Sequence, residues 1–360
     1  MNSRERITRI MNFQEPDRIG IFDGYWTETL ERWKREGMPA DLDIGREFSH
    51  DLCPAGFDQG LGFEEVTLEE DEQTRVTRDS FGMTQRTWKG AKQGVPHQID
   101  RLIRTRTDWQ EHKHRLAPSK SRYTYNVAEF TAGLEAAGMY RVYWYLEPFE
   151  LTWRFLGFKE TLELMATDPE WADEIFQACA DQVIGMYEIA LAQGAGFEGS
   201  WAGGDIAYRN GPFFSPQMYR DLLMPHHKRI FSYFNRRGLP TMYHGDGDCR
   251  PVLDDLIEAG VRAIQPCEVK AGMDIVALKA KYAGRLVLFG GIDVRSLSGT
   301  RADIDREIRS KIPVAMKGGG YIYCTDHSVA PTVSYENYRY ALDLIREVGT
   351  YPPGIGQQCI

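Results

Sequence analysis

This chain has little with which to build a covalent or nucleotide-binding framework. Its six cysteines (Cys53, Cys179, Cys249, Cys267, Cys324 and Cys359) include no CxxC pair and no regular spacing, which argues against a disulfide scaffold in 360 residues. No stretch of about 18 uninterrupted apolar residues occurs, and the charged opening MNSRERITRIMNF is no signal peptide, so a cytoplasmic protein without a membrane partner is expected. No Gly-x-Gly-x-x-Gly follows the first strand-like run and there is no Walker loop, which removes nucleotide binding. Positive charge is also short: the net charge of −9 argues against nucleic acid as a partner.

What is present is a globular composition, 42% hydrophobic and 26% charged, with 35 glycines spread along the chain. Arg18–Phe22 reads as a first strand ending at Asp23, after a short helix closed by Pro16. Residues 27 to 116 show a poorer pattern, with short alternating runs at Thr74–Thr77 and Thr84–Trp88. This segment reads as helices and a small hairpin covering a barrel mouth. Beyond residue 120 strands and helices alternate. Tyr140–Leu146 is a strand, Asp168-Pro169 opens a long helix, and Phe197–Trp201 is the next strand. Pro225 interrupts a helix carrying the mid-helix pair His226-His227, a surface or structural feature. The runs Leu239–Tyr243, Val261–Pro266, Arg285–Phe289 and Gly320–Thr325 are each followed by a helix-like stretch. This rhythm predicts one α/β domain over 1–360: a (β/α)8 TIM barrel with an N-terminal strand and lid-like elaboration (1–120) and the main β/α units over 121–349.

Strand exits of such a barrel share one face, and the chemistry-bearing residues sit at those exits. His244, Asp246, Glu268 and His327 follow three separate strands and form a candidate metal set. Gly245 and Gly247 free the backbone between the first two. Asp205 and Asp293 are candidate catalytic acids. Asp23, Trp26, Tyr145 and Glu147 are candidate substrate-binding residues, although helix capping and core packing are the ordinary roles of such side chains.

The stretches TMYHGDGD, AIQPCE, VLFGGID and GGYIYCTDHSVAPTVSYENY, and more weakly RERITRIMNFQEPDRIG, resemble the uroporphyrinogen decarboxylase superfamily. Within it they are more similar to the cobalamin-associated methyltransferases than to the decarboxylases. In the zinc methyltransferases of that family the metal motif is His-x-Cys, a glutamate in some members, and a late cysteine. His244 and Glu268 match, whereas Asp246 and His327 stand where cysteines would be. The resemblance implies Zn2+ or another divalent ion, a small-molecule methyl donor and a corrinoid protein as partner. The harder N2O2 set favours an oxygen-bearing substrate, so O-demethylation, of a methoxyaromatic compound above all, is the expected activity. Cys267 and Cys324 are near enough to be alternative ligands. The arginine-rich segment with which the decarboxylases grip carboxylates is replaced by IFDGYWTET, which weighs against a metal-independent decarboxylase. Methyl transfer from corrinoid to a small acceptor, or a non-catalytic subunit, stay open as alternatives, as does the oligomeric state, a homodimer included.

Overall fold

The computed structural model describes residues 1–89 and 96–352; Cys359 lies outside them. Strands β1 (Gly20–Ile21) and β2 (Leu52–Ala55) come first. An antiparallel sheet follows, made of β3 (Val66–Glu70), β4 (Thr74–Arg78), β5 (Met83–Trp88) and β6 (His97–Arg101). Next are β7 (Tyr140–Leu146), β8 (Gly199–Gly203), the two-stranded ribbon β9 (Ala207–Tyr208) and β10 (Gly211–Pro212), then β11 (Thr241–His244), β12 (Val261–Gln265), β13 (Val287–Phe289) and β14 (Tyr321–Tyr323). Eight of these form one parallel sheet in the order β1-β14-β13-β12-β11-β8-β7-β2, a nearly closed α/β barrel.

Closure is completed by a side chain rather than by a ladder. Between β1 and β2, the Asp51 backbone N–H donates to Ile21 O (2.8 Å) and its carboxylate accepts from Ile21 N–H (2.9 Å). Arg6 and Arg18 pair with the same fully buried carboxylate at 2.7 and 2.6 Å. One cost of this arrangement is a thin seam, and a cavity of 670 Å³ lined by Phe22, His50 and Leu52 opens there.

Strand parity sorts the side chains. Leu52, Val142, Trp201, Met242, Ala263, Val287, Phe289 and Ile322 fill the barrel interior, and the alternate residues meet the helices. The helices obey their caps: Asp168 accepts from Trp171 N–H at the start of Pro169–Ala192, whose Ile175, Phe176, Cys179 and Val183 pack onto the core. Pro225 stands at the start of Met224–Asn235, just after a wide turn at Tyr219–Leu223, so it begins a helix instead of breaking one.

The lid reading changes here, and of the two roles read for His226 and His227 the structural one holds. The segment read as a lid contributes β2, a barrel strand, and its hairpin is a four-stranded sheet. His226 and His227 are both buried; His227 bonds Glu147 (2.9 Å) and Tyr219 (3.0 Å).

Candidate metal centre at the barrel mouth

His244 is the last residue of β11 and points inward, two positions beyond the interior Met242. Its Nδ1 contacts Oε1 of Gln265, which ends the adjacent strand β12. An amide oxygen accepts only, so Nδ1 carries the proton and, in the neutral ring, the Nε2 lone pair faces the mouth. Nε2 lies 3.7 Å from Oδ1 of Asp205, which arrives from the exit of β8. Asp205 Oδ1 also accepts from the Asp246 N–H (2.8 Å), fastening the loops after β8 and β11 together. The donor atoms of Asp205, His244 and Asp246 all fall within 4.8 Å of one another, a candidate metal-binding triad. The set fits a divalent cation: two carboxylates and one imidazole with a fixed tautomer converge, and Asp246 faces Asp205 and Glu268 in addition.

Electrostatics agree with that fit. Burial disfavours the His244 imidazolium, yet the carboxylates of Asp205 and Asp246 outweigh it and hold its pKa above the ordinary value. Burial also lifts Asp246, with His244 opposing and the negative charge of Asp205 adding to the rise. A cation at the centre would relieve both effects.

Gly247 makes the turn possible. Its φ is +84°, and a Cβ there would sit 2.6 Å from the Ala207 carbonyl carbon, so only glycine fits against the ribbon. The Gly247 N–H donates to Glu268 (2.6 Å), whose carboxylate also meets Lys270 (3.1 Å). Glu268 therefore stands behind the turn, outside the triad. His327 flanks it from the other side, with Nε2 3.7 Å from Asp246 Oδ2 and Trp26 stacked on its ring at 6.1 Å. Of the sequence-derived set, His244 and Asp246 are brought together with Asp205, first read as a catalytic acid.

Other expected residues stand elsewhere. Asp293 caps Val294–Leu297 and is paired with Arg295 at 2.6 Å. Glu147 is fully buried and caps Pro148–Leu156, accepting from Phe149, Glu150 and His227. Tyr145 is fully buried on the helix-facing side of β7 against Phe234, so neither it nor Glu147 offers a surface to a ligand; the inward neighbour is Trp144. Asp23 is buried too, bonded to Thr325 and Tyr338. Trp26 alone of these four is exposed, at 39%. Cys267 and Cys324 are buried thiols outside the triad; burial pushes Cys267 up to about 12 and Cys324 well above its ordinary value. The sequence reading passed over Gln265, which orients His244, and Glu150, whose carboxylate accepts from the Asp205 N–H at 3.3 Å.

No helix among the described residues is long and apolar enough to cross a membrane. The chain shares its fold with a methyltransferase from Methanosarcina mazei: TM-score 0.68, 15% identity, 96% of this chain and 98% of that one. Uroporphyrinogen decarboxylase of Thermus thermophilus is 28% identical over 137 residues, 37% of this chain and 38% of the relative. The enzyme of the same description from Psychromonas ingrahamii is 23% identical over 201 residues, 53% of this chain and 52% of the relative. The matches thus span between about two fifths and half of the length of these curated relatives. A family model described as uroporphyrinogen decarboxylase (URO-D) matches residues 146–348, more than half of the chain, and the protein belongs to that family.

Proposed function

We propose that this protein is a metal-dependent methyltransferase that moves a methyl group from an O-methyl donor, above all a methoxyaromatic compound, to the cobalt of a corrinoid carried by a separate protein. The observation that supports this reading best is the triad of Asp205, His244 and Asp246 at the strand exits. When bound there, a divalent cation, zinc in the first instance, supplies Lewis acidity toward the ether oxygen. Gln265 keeps His244 in the ligating tautomer, and Asp205 fastens the Asp246 backbone. Glu268 holds the Gly247 turn from behind. Trp26 and His327 present a flat, half-open aromatic wall beside the triad, suited to a methoxyaryl ring. In the overall exchange the C–O bonding pair leaves with the oxygen, which takes up a proton, and the methyl carbon is bonded by the cobalt electron pair.

The test is to incubate the metal-loaded protein with methoxyaromatic compounds, with and without Co(I) cobalamin, and to follow methyl–cobalt formation by absorbance. Formation that needs both protein and metal, and drops at least about a hundredfold in His244→Ala, is the expected result. Carbon dioxide release from a carboxylated substrate by the metal-free protein would instead assign it the reaction of its decarboxylase relatives.

A further inference from the structure

The hydroxyl of Thr325 makes two short contacts, 2.6 Å to Oδ1 of Asp23 and 2.6 Å to the backbone carbonyl of His327. A threonine hydroxyl has one proton, and a carbonyl can only accept. Both contacts are hydrogen bonds only if Asp23 brings a proton of its own: Asp23 Oδ1–H donates to Thr325 Oγ1, and Thr325 donates onward to His327 O. The Thr325 backbone N–H still reaches a lone pair of the same Oδ1, at 2.8 Å. If Asp23 is ionised, Thr325 must turn its one proton toward the carboxylate, and the His327 carbonyl loses its donor.

We propose that Asp23 is a proton-operated latch on the loop after β14 that carries His327, against which Trp26 from the exit of β1 is stacked, closed when Asp23 is an acid and released when it is a carboxylate. Asp23 is 3% exposed. It faces Tyr323, Cys324 and Thr325 from β14 and its exit, Tyr338 from the helix Tyr335–Val348, and Tyr25 beyond its own strand. No basic side chain is among these groups. Burial lifts its pKa to about 6, the hydrogen bonds from Thr325 and Tyr338 pulling the other way.

A chain of hydroxyls runs from the other carboxyl oxygen of Asp23 to the seam. Asp23 Oδ2 meets the Tyr338 hydroxyl at 2.9 Å, Tyr338 meets Tyr25 at 2.8 Å, and Tyr25 meets Nε2 of His50 at 2.9 Å. His50 lines the 670 Å³ seam cavity between β1 and β2. Opening would be felt by the neighbouring bonds of the loop, Val329 N–H to Gly24 O at 2.8 Å and Asp326 N–H to Ile292 O at 2.7 Å.

Hydrogen exchange of the full chain, read on a peptide spanning residues 324–330 and corrected for the intrinsic pH effect, tests the latch. Protection should fall about fivefold between pH 5 and 7.5, the worth of one hydrogen bond. Thr325→Ser should keep that dependence. Thr325→Val should lose it, having no hydroxyl. Asp23→Asn should lose it as well, because a carboxamide does not titrate and its N–H2 group can donate to Thr325 at either pH. The infrared difference between wild type and Asp23→Asn should contain a carboxylic-acid carbonyl band at pH 5 that is gone at pH 7.5. Absence of that band at pH 5, no pH dependence in the wild type, or a dependence that survives in Thr325→Val overturns the proposal.

Discussion

At the scale of single residues, the clearest lesson is how much a neutral side chain decides. Gln265 carries no charge and no ligand chemistry, yet it sets which nitrogen of His244 is available. Gln265→Leu should lower metal affinity about 10- to 100-fold while leaving the fold intact, as measured by metal titration and circular dichroism. Unchanged affinity would mean that the tautomer is set by something else. Asp23 yields a second expectation, with its sign fixed by burial. Its folded pKa of about 6 lies above the ordinary 3.8, so the folded chain keeps a proton that the unfolded chain has already lost. Stability contributed by the neutral acid is complete below pH 4 and is lost as pH rises to 6, by roughly 3 kcal/mol at 1.36 kcal/mol per unit. Urea midpoints from pH 4 to 7 should therefore fall more steeply for wild type than for Asp23→Asn; parallel curves would show that Asp23 does not titrate there. The candidate metal residues His244 and Asp246 were legible in the sequence because glycines and strand ends mark them. Gln265 was not, since an amide at a strand end is informative only once its neighbour is known. Tyr145 shows a different failure. Parity along β7 places Val142 and Trp144 inside, and a choice off by one residue turns an aromatic from the pocket to the helix layer.

Elements were readable where burial imposes a period. Tyr140–Leu146 matches the sequence reading residue for residue, because one face is buried in the barrel and the other under the helices. Strand β2 escaped it. Four residues, Leu-Cys-Pro-Ala, are too short to show alternation, and Pro54 cannot donate to a ladder. Of the antiparallel sheet only the hairpin of β4 and β5 was read: β3 is exposed along most of its length and β6 has no buried residue, so neither shows hydrophobic alternation. At the seam, β1 and β2 depend on Asp51 and its two arginines. Asp51→Ala would strand Arg6 and Arg18 against a buried gap and leave the Ile21 N–H without its acceptor. The expected loss is about 3–5 kcal/mol, read from urea unfolding. A loss below about 1 kcal/mol, no more than a surface ion pair is worth, would mean the seam is held by the helices outside it.

For the molecule as a whole, the barrel collects acids and histidines from exits far apart in sequence, and this coupling makes the metal site a property of the folded state. The triad spans β8 and β11, with Glu268 from β12 behind it and His327 from β14 beside it. In an unfolded chain Asp205 and the His244–Asp246 pair are about forty positions apart, and nothing holds them together. A divalent ion held by the candidate triad would then bind the native state in strong preference, and folding and metal binding would be linked. With free ion at about 100 times its dissociation constant, the linkage adds roughly 2.7 kcal/mol to stability. For a chain of this size that corresponds to an upward shift in Tm of only a few degrees, so a chelated sample and its metal-reloaded counterpart should be compared at one scan rate. The shift should vanish in His244→Ala. In Asp246→Asn the metal-dependent shift should shrink while the metal-free protein gains stability, because the carboxylate that faces Asp205 and Glu268 is gone. That opposite movement separates a true ion site from two acids and a histidine that merely share a rim. A metal-free Asp246→Asn variant no more stable than wild type, together with no Tm response to zinc, manganese or nickel, would leave the triad as a hydrogen-bonded loop clasp and nothing more.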